Sequence, residues 1–79
     1  YPNPFNPKTK IQYTLPVHAE VSISVYDIKG KQMDEIMIGR QNAGQHSVVW
    51  NANQLSSGVY FIRLQADDKI QSRNVILVK

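Results

Sequence analysis

Apolar and polar residues alternate along most of this chain. In IQYTL, Ile11, Tyr13 and Leu15 alternate with Gln12 and Thr14; in VSISVYD, Val21, Ile23 and Val25 alternate with Ser22 and Ser24. MDEIMIG places Ile36 and Ile38 on one face. HSVVWN allows two phases, His46, Val48 and Trp50 or Ser47 and Val49, and GVYFIRLQA sets Tyr60, Ile62 and Leu64 against Val59, Phe61 and Arg63. SRNVILVK ends on an unbroken apolar run over 75–78. A period of two with β-branched and aromatic content predicts strands. Between them lies turn chemistry. Pro16 ends the first run, DIKGK puts Gly30 where a hairpin needs positive φ, Gly39 and Gly44 flank the next turn, and ADDK forms a tight acidic one. Gly58 opens a strand and is expected at positive φ or against close backbone, less tolerant of a side chain than Gly39. The loop over 51–57 has room for one helical turn. Six strands without a helical period predict an all-β sandwich or small barrel.

The opening YPNPFNPKT does not fit that rhythm, since Pro2, Pro4 and Pro7 fall within seven residues. Residues before proline are pushed to extended or polyproline II geometry. At three residues per turn, Tyr1, Pro4 and Pro7 share one stripe and Pro2 and Phe5 another. The segment reads either as a rigid linker or, the favoured reading, as a linker that Phe5 pins against the sandwich. There its prolines would cap an edge strand without inviting further pairing.

Size and composition narrow the function. At 79 residues the chain is one domain with a thin core, burying about 60–65% of the surface its unfolded form exposes. It contains no cysteine, so neither a disulfide nor a thiolate site is available. The formal net charge of +3 is spread along the chain with no Lys/Arg run, which argues against nucleic-acid binding. No apolar stretch approaches the roughly 20 residues that span a bilayer. The absence of an initiator Met and of a signal peptide predicts a piece cut from the end of a larger protein.

Candidate chemistry is sparse. His18 falls in a turn and His46 at a strand start, away from metal-ligand spacing. Asp67 and Asp68 offer too few oxygens for a calcium cage. Asp34 and Glu35 point to opposite faces of a strand, unlike a hydrolytic pair. There is no nucleophile elbow and no phosphate loop. These features predict no catalytic site, no metal, no cofactor and no small-molecule substrate. Trp50 and Tyr60, in phase with Val48 and with Ile62, read as core rather than as a sugar-stacking platform.

YPNPFNPKTKIQYTLP, VSISVYDIKGKQM, AGQHSVVWN, SSGVYFIRL and the closing NVILVK, taken in that order, resemble the type A C-terminal sorting domain of the type IX secretion system. The resemblance covers the chain from Tyr1 to Lys79. It is carried by Tyr1, Pro2, Asn3, Pro4 and Phe5, by Tyr26, Asp27 and Gly30, by Gly44, His46 and Trp50, by Gly58 and Tyr60, and by the basic residue after the apolar tail. The immunoglobulin-like domain of flagellar hook-capping proteins is similar in the same opening and strand pattern.

The resemblance implies an immunoglobulin-like antiparallel β-sandwich of about seven strands, a single C-terminal sorting domain over 1–79 with a proline-rich leading segment over 1–10. It implies an exported protein whose N-terminal cargo reaches the periplasm by the general pathway. Outer-membrane translocon components would then recognise the sorting domain. A sortase would remove it, leaving the cargo attached to surface lipopolysaccharide or secreted. The domain would be a signal and a substrate, not an enzyme. Val75, Ile76, Leu77, Val78 and Lys79 are the recognition candidates: this tail either completes the domain's own sheet, as its two apolar faces suggest for a central strand, or adds to a partner's sheet. The alternatives are a structural immunoglobulin-like module of an extracellular enzyme or hook-cap assembly, and a carbohydrate-binding module.

Overall fold

A computed structural model describes residues 8–78. Their backbone forms β1 (Lys8–Leu15), β2 (Ala19–Tyr26), β3 (Gln32–Gln41), β4 (Gly44–Asn51), β5 (Gly58–Ala66) and β6 (Lys69–Leu77), with no helix among them. The leading residues Tyr1, Pro2, Asn3, Pro4 and Phe5, and the terminal Lys79, lie outside the described residues. The last three residues of the segment expected over 1–10 are the first three of β1.

Every ladder is antiparallel. β1 and β4 form one sheet and β3-β2-β5-β6 the other. In an immunoglobulin-type sandwich, β1 and β4 take the places of strands B and E, and β3-β2-β5-β6 those of C′-C-F-G. That accounts for six strands against the expected seven or so. The chain before Lys8 is outside the described residues.

The core is built where the sequence alternates most cleanly. Ile11, Tyr13 and Leu15 from β1 face Val21, Ile23 and Val25 from β2, and Trp50, Tyr60, Ile62 and Leu77 close the space between the sheets. β2 lies between β3 and β5, so its apolar side chains are the least exposed, and Ile23 and Val25 are at 0%. The connection from β4 to β5 contributes Ala52 and Leu55, both buried. It contains a turn closed by Leu55 N–H donating to Ala52 O, not a helical turn.

β3 departs from its expected phase. Its register against β2 shifts between Ile23 and Ser24 and again between Val25 and Tyr26, which leaves Ile36 and Met33 without ladder partners. Each extra residue reverses the faces that follow it. Ile36 and Ile38, expected on one face, therefore part company: Ile36 packs against the core and Ile38 is 65% exposed. β6 also differs from a central strand, because among the described residues it pairs only with β5 and ends the sheet.

Candidate recognition surface

The residues singled out by sequence hold separate corners of the sandwich together. At the β2–β3 hairpin, the Asp27 carboxylate accepts the backbone N–H of Lys29 and of Lys31, at 2.8 and 2.9 Å. The carbonyl of Asp27 accepts Gly30 N–H at 3.0 Å. Gly30 has φ 85°, a conformation in which a Cβ would crowd the backbone. Gly44 opens β4 opposite Leu15. Gly58 opens β5 opposite Leu77. Gly58 and Gly39 have nearly equal φ values of 157° and 155°, and an added Cβ would meet only a side-chain atom at 3.8 and 3.9 Å. The expected difference between these two glycines therefore has no basis in the geometry.

Trp50 is buried, and its indole Nε1 donates to Asp34 Oδ2 at 3.0 Å. Asp34 pairs in register with the inward Val25, while Glu35 pairs with Ser24 on the outer face. The two carboxylates diverge as expected, and the inward one is occupied in anchoring β4 to β3. Tyr60 is also core, and its hydroxyl donates to Ser56 O four residues upstream at 2.8 Å. That bond is the tyrosine corner of immunoglobulin-like sandwiches, placed at the turn into strand F.

The histidines stay apart. His18 is exposed between β1 and β2. His46 Nε2 donates to Asn42 O at 2.6 Å, and its ring stacks on Tyr13 with centroids 5.3 Å apart. The Tyr13 hydroxyl donates to Gln41 Oε1 at 3.1 Å, and burial raises its pKa above the ordinary value of 10.0. Asp67, with φ 53°, makes the β5–β6 turn: its carboxylate accepts Glu20 N–H at 3.0 Å and its own N–H donates to Glu20 O at 2.9 Å. No group of three or more His, Cys, Asp or Glu among the described residues could hold a metal. A concavity of about 460 Å³ is lined by Gln12, Tyr13, Thr14, Gln45, His46, Ser47 and Arg73, a set without a paired nucleophile and base.

The geometry is thus that of a small sandwich whose polar side chains tie strands and turns together. The family model for the secretion system C-terminal sorting domain matches residues 1–79. The chain belongs to that family. Neither a curated protein nor a solved structure matches it. The type IX sorting domain is a secretion signal rather than a type of enzyme, and the protein that carries it is exported.

In this sorting domain the tail divides by strand geometry. Leu77 is buried against the core at 7% exposure and Val75 packs partly against it. Ile76 and Val78 face outward at 69% and 72%. Lys79 is outside the described residues. Two features were not visible in the sequence. Asp34 as the partner of Trp50 depends on the β3 register shifts, which the alternation conceals. Arg73 reaches from β6 to the other sheet, where its Nη2 donates to Gln12 O at 2.8 Å; nothing local marks that contact.

Proposed function

We propose that the domain directs an N-terminal cargo from the periplasm across the outer membrane, and that translocon components read residues 75–79 directly. A sortase then removes the domain and joins the cargo to surface lipopolysaccharide or releases it. On this reading the domain is a single unit over 1–79, a substrate of the sortase, and without catalysis of its own. The family match carries the sorting role. The division of the tail supports direct reading: Leu77 serves the fold, and Ile76 and Val78 are left facing solvent.

The division also supplies the test. A full-length precursor in a type IX-secreting bacterium would carry Ile76→Thr with Val78→Thr, Lys79→Ala, or a deletion of 75–79. The two threonines keep β-branching and remove apolar surface that is already exposed, so the melting temperature should hold within a few degrees. Direct reading predicts that cargo at the cell surface falls in the threonine and Lys79→Ala variants without a matching loss of stability. Normal surface display after the whole deletion would overturn the sorting role and favour a structural module.

A further inference from the structure

The four-stranded sheet has two edges of different build. β3 carries two register shifts, and irregularities of this kind turn an edge away from further pairing. β6 has none, for its ladder to β5 runs unbroken from Gly58↔Leu77 to Ala66↔Lys69. It is nine residues long, contains no proline, and ends the sheet among the described residues. A straight edge of that length presents its outer N–H and C=O groups as a template for another strand.

The side chains along β6 specify what would add. Lys69, Gln71 and Arg73 share the face of Val75 and Leu77, and Ile70, Ser72, Asn74 and Ile76 share the other. Lys69 and Arg73 are the only charges on β6. Through the Gln12 carbonyl, Arg73 ties β6 to β1 of the other sheet. The nearest carboxylates, Asp67 and Asp68, lie in the turn before β6, where that of Asp67 already accepts Glu20 N–H; the opposite edge, β3, carries Asp34, Glu35 and Arg40. On the other face Ile70 and Ile76 are 51% and 69% exposed near the two ends of the strand.

We propose that β6 is a strand-addition edge for an extended segment of a partner protein, with carboxylates on the face beside Lys69 and Arg73 and apolar residues beside Ile70 and Ile76. The proposal rests on the sorting reading and deepens it, by naming the surface read and the chemistry of its reader. Main-chain bonds along β6 supply attraction that is indifferent to sequence. The cation pair and the two isoleucines select the partner and fix its register. Arg73 can serve both sheets, because one guanidinium donor goes to Gln12 and the others remain for a carboxylate.

The test uses the 79-residue chain with three labelled nine-residue peptides as probes: one alternating glutamate and valine, one alternating lysine and valine, and the acidic one interrupted by proline. The acidic peptide should bind, slow amide hydrogen exchange along β6, and exceed the basic peptide by about tenfold in affinity, as two exposed ion pairs allow. The proline peptide should not bind. Lys69→Glu with Arg73→Glu should reverse the preference in favour of the basic peptide, a gain that an unfolded variant could not produce. Protection falling on β3, equal binding of acidic and basic peptides, or no binding at millimolar peptide would overturn the proposal. In cells, the same double variant should leave cargo in the periplasm. If it is displayed normally while deletion of 75–79 abolishes display, strand addition is refuted and the sorting reading stands. If the deletion is also harmless, the sorting reading fails and strand addition at the translocon fails with it.

Discussion

Trp50→Ala should bring the domain close to unfolding. At about 0.05–0.15 kcal/mol per residue, 79 residues give a total stability of about 4–12 kcal/mol. Trp50 is 2% exposed and among the largest fully buried side chains. Truncating such a residue costs about 3–5 kcal/mol, from lost transfer free energy and the cavity left between the sheets. The substitution also removes the donor to Asp34 Oδ2. Asp34 is only half-buried, so water replaces much of that bond and adds little to the cost. For a chain of this size, each kcal/mol corresponds to about 4–8 °C, so the melting temperature should fall by at least about 12 °C.

Two further substitutions separate packing from hydrogen bonding. Trp50→Phe keeps a six-membered ring but loses the N–H and part of the buried volume, and should cost about 1–2 kcal/mol, mostly from packing. Asp34→Asn keeps an oxygen acceptor for the indole and should cost less than about 1 kcal/mol. Trp50 is the only tryptophan, so its variants are followed by circular dichroism in urea rather than by fluorescence. If Trp50→Ala melted within a degree or two of the parent, the ring would not be a core residue in solution, and the sugar-stacking alternative would return.

Tyr60→Phe removes the hydroxyl that donates to Ser56 O and nothing else; a loss of about 0.5–1.5 kcal/mol in urea denaturation is expected, and an unchanged midpoint would show that the corner bond is replaced by water at no cost. Tyr13 gives a pH dependence. Burial raises its folded pKa above the unfolded value near 10.0, so the unfolded chain loses its proton first as pH rises. The contribution of Tyr13 to stability should therefore be constant below about pH 10 and decline above it, and Tyr13→Phe should flatten that decline in melts taken across the alkaline range.

The sequence was most legible where a single strand decides its own faces. The inward sets Ile11, Tyr13, Leu15 and Val21, Ile23, Val25 follow from alternation alone, because each apolar residue is flanked by polar ones. The Gly30 hairpin was legible for a similar reason, since Asp27 and Gly30 act within five residues. β3 was not legible. Its apolar residues look continuous through Met33, Ile36, Met37 and Ile38, and nothing local marks which two are left out of register with β2. Asp34 consequently reads in the sequence only as one of two diverging carboxylates, although it holds Trp50. The tail misled differently. Four consecutive apolar residues suggest burial on both faces, but burial also depends on which strands lie alongside, and among the described residues only β5 does.

If residues 75–79 are read as we propose, stability and recognition meet on a strand that also completes the core. Neighbouring side chains on β6 point to opposite faces, so Leu77 can be held by the core while Ile76, one residue away, stays available. If the segment is read as we propose, stability and recognition are assigned to alternate positions of one strand, and the readable set exists in its extended form only when the buried set is packed. An unfolded tail has the same sequence but presents no ordered edge, and ordering it on binding would cost about 1–2 kcal/mol per residue in backbone entropy. The folded sandwich bears that cost before the encounter, through Leu77 and the β5 ladder. Recognition is then coupled to folding without any moving part. Leu77→Ala should lower export in proportion to the fraction unfolded, whereas Ile76→Thr should lower it at unchanged stability. If both variants tracked stability alone, the tail would be a structural strand and the reader would bind elsewhere.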